Sequence, residues 1–296
     1  MSTTRMHEGQ ALPSPGMRLF KGVVLTLTCA LVVLPFIGVV STSLAPKKQV
    51  TDAGGFVFFP EGLQLDAYAS ILGGGMVTRA IGVSLFVAVV GTVLSLTATT
   101  LLAYSLANPR TVGRRWMLLL VLFTMLFHPG MIPMYLTVKQ AGLIDTLWAL
   151  IVPTMISAFN VVIVRAFFMN LPQELFESAR IDGAGEWHIF SRITLPLSKA
   201  ILAVVGLFYA VGYWNAFFNA VLYINDQAKW PIQVVLRTYV VEASKLGEEQ
   251  VGLENMPAQP SLQMAILVIS IVPILVVYPF LQRHFAKGVL TGAVKG

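Results

Sequence analysis

Charge is scarce in this sequence. Asp, Glu, Lys and Arg make up 11% of its 296 residues, against about a quarter in a water-soluble domain, and this excludes an ordinary soluble fold. Cysteine is almost absent. Cys29 is the one example, so no internal disulfide forms, and its place inside an apolar run makes it a small buried filler. The sequence holds no GxxxxGK(S/T) phosphate loop, no HExxH, no Cys/His cluster and no nucleophile–base set. These absences exclude a chain that cradles ATP by itself, a zinc protease and an intramembrane enzyme. No internal repeat and no low-complexity tract appears either.

What the sequence does hold is long apolar runs. Six stretches carry no Asp, Glu, Lys or Arg: 22–46, 80–108, 116–138, 146–164, 200–225 and 255–282. About 20 helical residues cross a hydrocarbon core of about 30 Å, and five of the runs exceed that length while 146–164 comes close to it. The expected fold is an all-α membrane protein with six transmembrane helices, at about 20–42, 80–106, 116–138, 146–166, 197–223 and 262–282. The first run is too long for the apolar region of a secretory leader and reads as an uncleaved anchor. Residues 1–17, with Pro13, Pro15 and Gly16, read as a disordered tail. Pro35, Pro129, Pro133, Pro153, Pro273 and Pro279 fall inside spans and mark kinks. Pro129 and Pro133, beside His128 and Gly130, are open to a second reading as a hinge. His128 itself reads as a satisfied structural histidine.

The net charge of +6 is explained by topology rather than by a nucleic-acid partner. With the N-terminus in the cytoplasm, 13 of the Lys and Arg residues fall on inside segments and 7 on outside ones, the bias of the positive-inside rule. Both termini are then cytoplasmic. The inside connection 165–199 is the long, charged one.

Within it, 171–196 reads LPQELFESARIDGAGEWHIFSRITLP. Pro172 suits a helix start, Gln173, Glu174 and Glu177 fill early turns, and Gly183 caps the C-terminus. Phe176, Ala179 and Gly183 lie at i, i+3 and i+7 and share one shallow face. A second amphipathic piece, 186–190, follows before Pro196 opens the fifth span. On these residues alone, a docking role and a plain interfacial loop are both open.

The pattern Glu177, Ser178, Ala179, three residues, Gly183, nine residues, then Ile193, Thr194, Leu195 and Pro196 resembles the EAA loop of ABC importer permeases, with Ser178 standing where alanine is common. The resemblance implies a type I ABC importer, or binding-protein-dependent permease, fold in a bacterial plasma membrane. It makes 171–196 a coupling-helix loop seated on a partner ATPase through Phe176, Glu177, Ala179, Gly183, Ile193, Leu195 and Pro196. The stretches IPMYLTVKQAGLIDTLWALIVP, FNVVIVRAFF and FYAVGYWNAFFNAVLYIND look like the carbohydrate branch related to maltose-system inner subunits, nearest to permeases for polysaccharide fragments such as aldouronates. The implied partners are a second permease subunit, an ATPase dimer, an extracytoplasmic solute-binding protein and a sugar, with membrane lipid around the chain and no nucleic acid. No cofactor belongs to this chain on that reading, since ATP and Mg sit on the ATPase. The outside segments 47–78 and 226–254 would face the binding protein, with 242–257 entering it.

In the fifth span a helical wheel puts Tyr209, Tyr213, Asn215, Asn219 and Tyr223 on one arc of about 160°, with Gly212, Ala216 and Ala220. Trp214, Phe217 and Phe218 lie on the other side, and Trp214 reads as packed in lipid or core. Polar residues in a membrane helix face protein or water, so the arc either lines the sugar's path or glues helices together. Its lack of charge leaves neutral and acidic sugars both open. Rival functions are an importer for a polyamine or glycerol phosphate, and an ion-coupled secondary transporter, for which the spans offer only His128 as an ionisable group.

Overall fold

The computed structural model describes residues 6–7, 10–11, 14–73, 75–241 and 259–293. Met6–His7 pairs antiparallel with Gln10–Ala11. Helices follow: α1 Pro15–Leu44, α2 Lys47–Asp52, α3 Asp66–Gly73, α4 Met76–Ala107, α5 Arg114–Leu126, α6 Met131–Gln140, α7 Trp148–Ile151, α8 Ala158–Met169, α9 Gln173–Ile181, α10 Glu186–Ile189, α11 Leu195–Leu197, α12 Lys199–Trp214, α13 Phe218–Tyr223, α14 Ile232–Val241 and α15 Gln259–Ala293. The chain divides into two compact units, Met1–Ser70 with Gly247–Val268 and Ile71–Leu246 with Ile269–Gly296.

In the first unit, α1 starts where the Ser14 hydroxyl accepts from the Met17 N–H at 3.4 Å and Pro15 fills the first turn, where its missing N–H costs nothing. The helix therefore begins before the tail expected at 1–17 has ended. Its C-terminal end is held by side chains. Thr42 Oγ1 donates to the Val57 carbonyl at 3.2 Å and accepts from the Val57 N–H at 2.9 Å, as an extended strand would. Gln49 repeats the device, donating to the Phe59 carbonyl and accepting from the Glu61 N–H. Ala45, Val50 and Val57 close a small core beneath. Cys29 is exposed on α1 rather than buried. An α1 face with no neighbour in the unit leaves apolar side chains on the outside, and Cys29 is one of them.

The second unit is organised on α4. Its buried face runs through Ala80, Ser84, Ala88, Gly91, Ser95, Thr99 and Ala103, a stripe of small residues that lets other helices approach closely. Both α8 and α12 pack on it. A Cβ at Gly91 would lie 2.7 Å from the Tyr213 ring, so α12 sits as near as a bare backbone permits. Ser84 Oγ accepts from the Ile232 N–H at 2.8 Å, satisfying one of the orphan donors at the start of α14. Trp214 is core, 4% exposed, and its indole N–H donates to the Ser270 carbonyl at 2.9 Å.

Among the described residues, three helices are long and apolar enough to cross a membrane: Pro15–Leu44, Met76–Ala107 and the Gln259–Val276 part of α15. Two bent pairs, Trp148–Thr154 with Ala158–Met169 at 51° and Glu186–Leu197 with Lys199–Trp214 at 82°, raise that to five. The expected span 116–138 is two helices. α5 stops at Leu126, and α6 restarts after Gly130, whose φ is +86°. His128, at this break, is exposed. The described residues are all-helical apart from the short N-terminal pairing.

Candidate functional site

Two features of the second unit carry chemistry. The first is a cavity of about 600 Å³ at the end of α12. The wheel drawn for the fifth span does not run unbroken, because α12 ends at Trp214 and α13 begins at Phe218. Between them the Phe217 N–H bonds the Asn215 carbonyl at 2.7 Å, a tight turn. The turn brings Asn215, Phe217, Phe218 and Asn219 to the same cavity wall, mixing residues that a continuous helix would have kept on opposite faces.

Tyr209 and Tyr213 border this cavity but are 5% and 4% exposed. Tyr209 OH shares a 2.6 Å bond with Thr99 and accepts from the Ser157 N–H at 3.0 Å. Tyr213 OH shares a 2.7 Å bond with Ser95 and donates to the Ile151 carbonyl at 3.3 Å. Both phenols are engaged in joining α12 to α4 and to the α7–α8 bend. Tyr223 lies away from the cavity, buried with Val138 and Ala149 and stacked on Tyr135 at 6.2 Å. The candidate path residues are therefore brought together only in part, with Asn215 and Asn219 on the open wall.

The opposite wall comes from Thr154, Ser157, Phe159 and Asn160, which the wheel of the fifth span could not reveal. A signal existed: 154, 157 and 160 are polar at every third position in an otherwise apolar run. Among the described residues, no Asp, Glu, Lys, Arg or His lines the cavity. It presents amides and hydroxyls beside Phe rings, groups that suit a polyhydroxylated solute by hydrogen bonds and ring contact.

The second feature is the loop 171–196. α9 closes by a Schellman arrangement: the Gly183 N–H bonds the Arg180 carbonyl at 3.0 Å, the Ala184 N–H bonds the Ala179 carbonyl at 2.9 Å, and Gly183 takes φ +80°. The chain then turns into α10, followed by a π-helical turn over Phe190–Thr194 and by α11. Ile189 and Phe190 are buried and anchor the turn, whereas Ile181 and Trp187 are 86% and 71% exposed. The face drawn through Phe176, Ala179 and Gly183 is split. Phe176 is 8% exposed and lies with Tyr104 and Phe168 on a second cavity of about 440 Å³, because a large apolar side chain gains most by packing against its own bundle. Ala179 is half-buried and Gly183 exposed. Ile193 and Leu195 are half-buried and Pro196 is exposed. Glu177 is exposed, on the rim of that second cavity with Arg110, Arg114 and Arg180.

Sequence reading passed over Glu186. Its Oε2 accepts from Tyr104 OH at 2.7 Å and from Asn108 Nδ2 at 3.1 Å, both at the end of α4, while Oε1 accepts from Arg180 at 3.1 Å. Partial burial pushes this carboxyl up. The hydrogen bonds from Tyr104 and Arg180 and the charges of Arg180 and Arg110 outweigh that and hold it below its ordinary 4.5. On α8, Arg165 Nε donates to the Leu106 carbonyl at 3.1 Å, fixing the same end of α4. The segment 242–257, expected to enter a binding protein, lies outside the described residues.

Helices apolar and long enough to cross a membrane, a cavity of amides, hydroxyls and Phe rings, and a capped helical loop joined to α4 fit a membrane-embedded transport subunit. The chain belongs to the family described as binding-protein-dependent transport system inner membrane component, whose model matches residues 80–291. Relatives include Protein LplC of Bacillus subtilis (strain 168), 48% identical over 90% of each chain. The polygalacturonan/rhamnogalacturonan transport system permease protein YtcP of the same strain is 46% identical, over 89% of this chain and 93% of that one. Among solved structures, a bacterial ABC transporter involved in import of the acidic polysaccharide alginate has a chain that matches with TM-score 0.86 and 30% identity, covering 93% of this chain and all of that one. The fold is that of a type I ABC importer permease, a multi-pass inner-membrane component working with a binding protein.

Proposed function

We propose that this chain is the carbohydrate-conducting membrane subunit of an ATP-driven importer. It works beside a second permease subunit, above an ATPase dimer that binds ATP and Mg, and receives sugar from an extracytoplasmic binding protein. On the reading of six spans with both termini in the cytoplasm, the 171–196 loop lies on the ATPase side. The observation that carries this reading is that loop: a capped helix pair that leaves Ile181, Trp187 and Glu177 exposed and is bonded to α4, on which the cavity-lining α12 packs. Exposed apolar side chains at a turn are what a partner cleft covers, and Glu177 supplies the polar contact there. The relatives named for polygalacturonan/rhamnogalacturonan and for alginate support a carbohydrate. Amides and hydroxyls on the cavity wall suit its hydroxyls, and the Phe rings suit its C–H faces.

The mechanism is alternating access. ATP acts on the equilibrium only by binding one state better, so closure of the ATPases favours the outward-open form and moves the loop with them. The test is Gly183→Val, which places a β-branched residue at φ +80°. The expected result is normal insertion, loss of ATPase co-purification and at least a tenfold fall in uptake. A variant that retains ATPase association and full ATP-driven uptake would sink the docking role. Uptake by purified chain without any ATPase would establish a secondary transporter instead.

A further inference from the structure

We infer that Glu186 is the tether that carries movement of the α9–α10 loop into α4 and from there to the cavity, a positioning residue for coupling. The inference rests on the reading of that loop as the ATPase contact. Its carboxylate joins three parts of the chain. One oxygen takes Arg180 at the end of α9, and the other takes Tyr104 and Asn108 in the last turn of α4 and at its cap. Tyr104 is itself held by ring contacts to Phe190, at 5.0 Å between centroids, and to Phe168, at 6.4 Å. From this point α4 runs to Thr99 and Ser95, whose bonds to Tyr209 and Tyr213 set the cavity-bearing end of α12.

The alternative is that Glu186 merely clips α9 to α10. Its ion pair with Arg180 is partly open to solvent, at 24% and 49% side-chain exposure, and such a pair alone stabilises little. What distinguishes the tether is the bonding to α4. A rigid link must be rigid at both ends, and bonds from two side chains a turn apart fix direction as well as distance. Without them a pull on α9 is taken up by bending at Gly183 and Gly185 instead of by displacement of α4.

The experiment uses the complete transporter, with its ATPase, second permease and binding protein, in proteoliposomes, and measures sugar taken up per ATP hydrolysed. Three variants are compared: Glu186→Gln, Tyr104→Phe with Asn108→Ala, and the charge exchange Arg180→Glu with Glu186→Arg. The tether predicts that all three co-purify with the ATPase and hydrolyse ATP within about threefold of the parent, while uptake per ATP falls about fivefold or more. The charge exchange is decisive between the two roles. It restores an ion pair between α9 and α10 but takes the carboxylate away from Tyr104 and Asn108, leaving Tyr104 only the long 3.5 Å bond to the backbone carbonyl of residue 186, so a clip predicts rescue and a tether does not. Parental uptake per ATP in the exchange, or in the Tyr104/Asn108 double variant, would overturn the proposal. Should Glu186→Gln fail to insert, the double variant decides alone, since it leaves Glu186 and its charge in place. A parent complex that transports without the ATPase would refute the docking reading instead, an outcome visible before any variant is made.

Discussion

Tyr209 and Tyr213 commit their hydroxyls to the seam of α4 before any solute arrives. Removing either oxygen orphans a buried Thr99 or Ser95, which costs about 1–3 kcal/mol. Tyr213→Phe is expected to lower the thermal midpoint of the purified complex while leaving the substrate KM of uptake within about twofold. A larger change in KM would make Tyr213 a binding residue. Gly91→Ala tests the same seam from the other side, because the new Cβ meets the Tyr213 ring at 2.7 Å. Overpacking of this kind costs about 1–3 kcal/mol, and a paired Tyr213→Leu, which removes the offending ring edge, should recover part of it. At the far end of the unit, Asp145 takes φ +61° and accepts from the backbone N–H groups of Asp226 and Asn225 and from Lys229 Nζ. The Asp226 N–H and the Lys229 bond hold its carboxyl below the ordinary 3.8, and the bond to Asp145 raises Lys229 above 10.5. A depressed carboxyl stabilises fully above its unfolded value and loses that as pH falls through the folded one. A raised ammonium stabilises fully below 10.5 and loses that at higher pH. The 145/229 contact is therefore complete from about pH 4 to 10. Protection of the amides at residues 143–146 and 224–229, taken relative to their intrinsic exchange, should fall as pH drops below the ordinary carboxylate value of 3.8, and Asp145→Asn should abolish the dependence.

At the scale of the element, the break between α12 and α13 decides what the cavity is made of. Asn160, Asn215 and Asn219 face it from two segments, and each lost amide bond to a sugar hydroxyl is worth about 1 kcal/mol, or about fivefold. Alanine at each position should raise the KM of uptake by about that factor without changing basal ATP hydrolysis. An unchanged KM in all three would remove the cavity from the sugar's route. The pieces legible in the sequence were those written in local chemistry. Pro172, the early acids and Gly183 bound α9, and a lack of charge marks α1, α4 and α15. Hydropathy is blind to backbone breaks inside an apolar run. The run 116–138 looked like one helix, yet Gly130 at φ +86° separates α5 from α6, and 215–217 interrupted a wheel that assumed constant pitch. Glu186 escaped notice for a different reason. Its partners are 6, 78 and 82 residues away, and only the first separation can be read from a helix pattern.

Taken whole, the chain leaves much of its apolar surface to others. Of the most apolar stretch of α1, 6% of residues are buried by the chain itself, against 28% in α4 and 22% in α15. Leu19, Phe20, Leu25, Leu27 and Leu31 are all more than 60% exposed. Lipid tails are as apolar as leucine, so such a helix gains little by leaving them for a random neighbour and is held by shape and by numbers. A subunit of this kind has no fixed durability of its own, since association with partners stabilises it in proportion to their abundance. Made without its companions, it should be cleared from the membrane several times faster than in their presence, as pulse-chase labelling would show. Gene dosage of the companions, with no residue of α1 altered, would then set how long each newly made copy survives.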